Sequence, residues 1–270
     1  MNMPEPCRIR IDIAYRGTAY HGWQRQAGTS TIQGEIEAAL HRLTGEPIFI
    51  RGSSRTDTGV HALGQTAVFD TTSAIPPERF AAAINANLPR DIRVLRSREV
   101  PPTFDPIVDC LRKRYYYLID DSRVLSPFLR DAVWHYRFGK LDVDVMHAAA
   151  QCFCGEHDFA SFQSQGSPRS STVRTIFDIS VKRRAMPLPF GPLDSDDALP
   201  PIAIEVEGNG FLYHMVRNIV GTLVAVGSGR KPVDWPVEVI ATKDRQAAGI
   251  TAPPEGLYLK HILYKEHSDA

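Results

Sequence analysis

The chain opens its patterned region with strict alternation: Ile9, Ile11, Ile13 and Tyr15 fall on one side of RIRIDIAY, the period of a strand with one buried face. Ile32, Ile36, Leu40 and Leu43 then recur at helical spacing. Ser30 and Gln33 read as a capping box ahead of them, and Gly45 and Pro47 end the run. Two short strands, PIFIR at 47–51 and QTAVFD at 65–70, flank a polar loop. A second helix follows Pro76-Pro77 with Phe80, Ile84 and Leu88 aligned, and DIRVLRSREV at 91–100 reads as another strand.

Prolines at 101, 102 and 106 mark a change of character, so the boundary is placed there. The expectation is an N-terminal α+β domain, 1–105, carrying the polar loop, and a C-terminal α+β domain, 106–270. The second half repeats the plan. It offers a strand at KRYYYLI, a helix from Val143 to Phe153, and an alternating strand through Val173, Thr175, Phe177, Ile179 and Val181. A strand at IAIEVEG, a buried helix over FLYHMVRNIVGTLVAVG, a helix over Pro232 to Gln246 and a closing strand at GLYLKHILY complete it. Residues 186–201, five prolines with acids and glycine, read as a surface loop. The fold class expected is α+β: two similar domains, each an antiparallel sheet with helices on one face, with a catalytic cleft between them.

Lys plus Arg equals Asp plus Glu, 31 each among 270 residues, so the whole-chain charge announces neither nucleic acid nor membrane. The cations are clustered locally instead: Arg51 with Arg55, Arg112-Lys113-Arg114, and Lys182-Arg183-Arg184. MNMPEPCRIR carries no apolar run behind its charges, and the longest such run, IVGTLVAV at 219–226, is about half of what a bilayer requires. A cytoplasmic protein is expected. Four cysteines make no disulfide framework, and Cys152 and Cys154, with His147 and His157 nearby, lack a second pair at ligand spacing, so no metal is expected. No Walker loop or dinucleotide fingerprint calls for a cofactor.

The chemistry concentrates in GSSRTDTGVHALGQ, 52–65. Asp57-Thr58-Gly59 are the letters of an aspartic protease half-site, which needs two aspartates sharing a proton in a dimeric all-β fold. A cation two residues away, Arg55, instead favours an ionised carboxylate suited to attack on carbon, with Gly52 and Gly59 letting a bulky substrate approach the backbone. A salt-bridged aspartate that only pins two strands fits the same letters. The triplet alone does not choose.

Six blocks in order widen the view: AYRGTAYHGWQRQ at 14–26, SRTDTGVHALGQ at 54–65, NANLPRDI at 85–92, KRYYY at 113–117, MVRNIVG at 215–221 and EGLYL at 255–259. Together they resemble the tRNA pseudouridine synthase A family across nearly the whole chain. The resemblance implies an enzyme that isomerises uridine to pseudouridine at positions 38, 39 and 40 of the tRNA anticodon stem-loop, without cofactor or metal, as a homodimer on its tRNA. A catalytically inactive RNA-binding relative is the rival from another class.

By the same resemblance Asp57 is the nucleophile, and Arg55 helps displace the target nucleotide from the stack. Tyr115 packs on the extruded uracil, although with Tyr117 and Ile119 it also reads as one buried face of a strand. Arg217 pairs with Asp57, since a buried arginine late in an apolar helix needs an anion, and Leu257 walls the uracil pocket. Two departures stand out. Thr58 replaces the commoner alanine, and Asp105-Pro106 stand where His-Ala is usual, which puts in question any RNA contact through TFDPIVDC.

Overall fold

The computed structural model describes residues 6–166, 171–185 and 199–265. The chain forms two compact units, Met1–Leu111 with Tyr258–Ala270, and Arg112–Leu257. Both are α+β and built on mainly antiparallel strands.

In the first unit β1 (Cys7–Tyr15) lies between β3 (His61–Thr71) and β4 (Ile92–Val100), antiparallel to both. The short β2 (Arg51–Gly52) pairs with β3, and β10 (Leu257–Tyr264) runs parallel to it through Tyr258 opposite His61 and Leu259 opposite Ala62. The last strand, counted from sequence with the second half, thus closes the sheet of the first. Ile9, Ile11, Ile13 and Tyr15 are buried as the alternation requires. Against this face pack α1 (Ile32–Thr44) and α2 (Phe80–Asn85), with Phe80 edge-on to Phe69 at 5.4 Å. The cap of α1 falls one residue later than the capping-box pattern places it. Thr31 Oγ1 accepts from the Gly34 N–H at 3.3 Å, while Ser30 bonds Glu35 and Gln33 is spent elsewhere. The buried Glu37 of α1 accepts from Gln33 Nε2 at 2.9 Å and from the Ile50 N–H at 3.1 Å, fixing the approach to β2 against the helix.

The second unit is a sheet in the order β5 (Cys110–Asp120), β9 (Ile202–Gly208), β8 (Val173–Arg183), β7 (Gly155–Asp158), all antiparallel, with β6 (Trp134–His135) parallel to β5. Helix α3 (Val143–Ala150) packs on β8, and α4 (Met215–Gly227) and α5 (Trp235–Thr242) pack against α3 and each other. The alternation expected in β8 is broken: a bulge between Ile176 and Asp178 shifts the register, so Ile176, Ile179 and Val181 are buried while Val173 and Phe177 face solvent. The apolar helix starts at Met215 rather than Phe211, after His214 in the left-handed region at φ 61°. Helix α5 stops at Thr242, four residues short of the run expected to Gln246. Residues 186–198 of the expected surface loop lie outside the described residues.

Candidate active site

The polar loop is shorter and stiffer than its glycine and serine content suggests, because its last five residues, His61 to Gln65, already belong to β3. What remains turns on Asp57-Thr58-Gly59-Val60. The Val60 N–H returns to the Asp57 carbonyl at 3.1 Å, and Gly59 takes φ 81° at the third position, which marks a turn that glycine satisfies without strain. Thr58 occupies the exposed second position, where a side chain larger than alanine meets no packing constraint. Asp57 itself is half-buried, and Arg55 is exposed.

Three parts of the chain hold this turn. The segment Gly17–Trp23 lies across it: the Trp23 N–H donates to the Thr56 carbonyl at 3.0 Å, and the Gly59 N–H donates to the Tyr20 carbonyl at 3.3 Å. The Tyr15 hydroxyl meets Thr56 Oγ1 at 2.7 Å in a buried contact. From within the loop, the buried Gln65 carboxamide bonds both the N–H and the carbonyl of Ser54. Gly52 serves packing rather than substrate approach, since a Cβ there would come within 2.5 Å of the Trp23 indole. Sequence reasoning overlooked Tyr15, Trp23 and Gln65 as supports. The signal was the pairing of small residues with large aromatics, which only the fold brings together.

In the second unit Tyr115 sits on β5 opposite Val206, buried to 6% exposure and edge-on to Phe211 at 5.1 Å. Its strand buries Tyr115, Tyr117 and Ile119 as one face, as the alternation predicts. Arg217 stands at the third position of α4, in its first turn rather than late in the helix, and is half-buried. Its Nε donates to the Ala252 carbonyl at 2.7 Å, and the Ala252 N–H returns to the Arg217 carbonyl at 3.1 Å. The same segment is caught on its other side by Tyr117, whose hydroxyl donates to the Pro253 carbonyl at 2.7 Å. Burial pushes that phenol well above its ordinary pKa, so it stays a donor. Residues 249–252 run tight along α4, with Gly221 leaving room that a Cβ, 1.8 Å from the Ile250 carbonyl oxygen, would fill. Arg217, Tyr117 and the buried Leu257 are therefore tied together through residues 252–257.

The basic clusters hold more anions than the sequence pattern suggests. Arg112 and Arg114 bond the buried Glu207, and Arg114 also bonds Glu205 at 3.0 Å. Arg183 forks onto Asp121 at 2.8 and 3.0 Å, while Arg184 reaches the Tyr116 hydroxyl at 2.9 Å. Arg51 pairs with Asp105 at 2.8 Å. Asp105 also accepts from the Ile107 and Val108 N–H groups, so the unusual Asp105-Pro106 builds a turn that neutralises one arginine. Among the described residues no group of three or more His, Cys, Asp or Glu side chains could hold a metal ion. No helix among them is long and apolar enough to cross a membrane.

The sequence model of a family described as tRNA pseudouridine synthase matches residues 13–107 and 149–265. A protein named tRNA pseudouridine synthase A from Acetivibrio thermocellus is 44% identical over 256 residues, which is 95% of this chain and 99% of that one. Its namesake from Thermoanaerobacter sp. (strain X514) is 42% identical over the same length, with the same coverage. One from Coxiella burnetii (strain Dugway 5J108-111) is 42% identical over 259 residues, 95% of this chain and 93% of the other. The protease reading of Asp57-Thr58-Gly59 falls away with these matches and with the α+β fold, because the triplet forms a turn beside helices rather than one half of an all-β dimer.

Proposed function

The chain belongs to the tRNA pseudouridine synthase family, and from that premise we propose that it isomerises uridine to pseudouridine in the anticodon stem-loop of tRNA, at positions 38, 39 and 40, with Asp57 as nucleophile. The observation that carries the reading is the clamped turn. A half-exposed carboxylate is presented by a backbone fastened at Thr56 and Gly59, the pre-organisation a covalent step on an extruded nucleotide requires. In the isomerisation the N1–C1′ bond breaks, a C5–C1′ bond forms, N1 takes up a proton and the C5 proton leaves. The atoms of substrate and product balance with no cofactor.

The remaining assignments follow the family resemblance. Arg55, exposed beside the turn, helps hold the target nucleotide out of the stack, a step that costs a few kcal/mol. Tyr115 packs on the uracil, Leu257 walls its pocket and Arg217 supplies the cation for Asp57. A homodimer working on tRNA in the cytoplasm completes the proposal.

The test is Asp57→Ala assayed on tRNA transcripts carrying tritium at uridine C5. Loss of tritium release with tRNA affinity within about threefold supports the assignment, because the carboxylate then acts on the barrier rather than on binding. A variant as active as the parent removes Asp57 from the mechanism, and a parent that binds tRNA without releasing tritium favours the inactive relative. Mass mapping of the product decides positions 38–40.

A further inference from the structure

One buried titratable group beside the turn has no part in the chemistry above. His61 is only 2% exposed, four residues after Asp57 and at the first position of β3. The Gly17 N–H donates to its Nδ1 at 3.0 Å. A ring nitrogen that accepts a hydrogen bond carries no proton, so the imidazole is neutral with its proton on Nε2. The ring stacks on Tyr258, centroids 4.6 Å apart and planes 27° from parallel, and the two residues are direct register partners of β3 and β10. Ring orientation is thus fixed by a strand partner on one side and by a main-chain donor on the other.

We infer that His61 is a positioning residue for Asp57, a neutral imidazole whose unprotonated Nδ1 fastens Gly17, and with it the segment to Trp23, onto the catalytic turn. That segment is hydrogen-bonded to the turn region at the Thr56 carbonyl, the Gly59 N–H and His61 Nδ1. The first two are main-chain bonds. The third comes from a side chain, and it anchors the end of the segment nearest β1. Without an acceptor there, the Gly17 N–H is left buried and unpaired, and the segment gains freedom to slide over Thr56 and Asp57. The catalytic side of this inference rests on the function proposed above; the tautomer does not.

Two measurements on the full chain test it. Nitrogen-15 spectra of histidine-labelled protein should show His61 protonated on Nε2 and bare on Nδ1. His61→Leu, which offers no acceptor, should lower kcat by about tenfold with KM and tRNA affinity little changed. His61→Asn, which returns an oxygen near the Nδ1 position, should recover most of that loss. A proton found on Nδ1, or a His61→Leu enzyme with the parent kcat, overturns the inference. If His61→Leu does not fold, the spectrum and the asparagine variant decide: parent-like melting with a tenfold loss of kcat in His61→Asn also overturns it. Inactivity of Asp57 in the mechanism would sink the proposed function while leaving the spectrum as it stands, so the two failures are separable.

Discussion

The main-chain N–H of Trp23 donates to the carbonyl of Thr56 at 3.0 Å, joining two blocks that lie 33 positions apart in sequence. Gly22, next to that bond, takes φ 81°, and a Cβ on it would lie 2.5 Å from the Thr56 carbonyl oxygen. Gly22→Ala is therefore expected to cost about 1–2 kcal/mol from the left-handed backbone alone, and more from the clash, which is with main chain and cannot rotate away. Activity should fall further than stability accounts for, because the displaced atom is one residue from Asp57. Urea unfolding and kcat, measured on the same preparation, check both halves. Parent-like values in both would show that the turn tolerates movement.

Arg217→Ala separates structure from chemistry. Its Nε bond to the Ala252 carbonyl is one contact of a half-buried group, and loss of that bond should cost about 1 kcal/mol of stability. If the guanidinium also supports Asp57, kcat should drop by about a hundredfold or more, the scale for removing a charge-stabilising donor. Arg217→Lys should restore little, because an ammonium cannot hold Ala252 and an anion with the same fork. A rate within a few-fold of the parent would confine Arg217 to pinning residues 252–257.

Much of the fold was legible because periodicity survives wherever one face is buried. Ile9 to Tyr15, Tyr115 to Ile119 and the apolar stripe of α4 are where alternation or helical spacing put them. The failures have local physical causes. In β8 a bulge at Ile176–Asp178 swaps faces, and Arg112 covers the exposed Phe177 ring at 4.5 Å, which no period can foretell. At α1 the cap moves to Thr31 because Gln33 is drawn to Glu37 and Ile50. For the proposed site, the block that carries Asp57 stands out in the sequence. Its supports are not, because Tyr15, Trp23, His61 and Gln65 look like ordinary core until the chain folds them around the turn.

Acid should loosen the second unit in a defined window. Burial works against the Glu207 and Asp121 carboxylates, but hydrogen bonds from Arg112 and Arg114 to the first, and from Arg183 and the Leu141 N–H to the second, outweigh it. Both pKa values lie below their ordinary 4.5 and 3.8. A carboxylate with a lowered folded-state pKa stabilises fully above its unfolded value, and that contribution is lost as pH falls through the folded one. Stability should thus be flat with respect to these two groups from pH 7 to about 5 and should decline below about 4.5. Glu207→Gln should reduce the decline while costing about 1–2 kcal/mol at pH 7, a moderate figure because Arg112 remains half in water. Urea midpoints across pH 3–7 for parent and variant test this. An identical acid slope in the two would show that Glu207 is not among the groups that set it.

The same pairing bears on how a chain of zero net charge attracts RNA. Arg112 and Arg114 bond Glu207 and Glu205, which are less than a tenth exposed, and Arg183 bonds Asp121 in the same way. A guanidinium already held by a buried carboxylate gives up that bond to reach a phosphate, so these positions are poorly suited to counterion release. Each cation that does contact phosphate adds close to one unit to the slope of log affinity against log salt. Affinity for tRNA should still fall steeply with salt, since RNA is a polyanion. Arg112→Ala, however, should leave the slope unchanged, whereas replacing the exposed Arg55 should lower it by about one unit if that residue meets the backbone of the displaced nucleotide. Titrations of labelled tRNA at several salt concentrations distinguish the two. A drop of one unit for Arg112→Ala would mean that the Glu207 pair opens on binding and that the strand cluster belongs to the RNA surface after all.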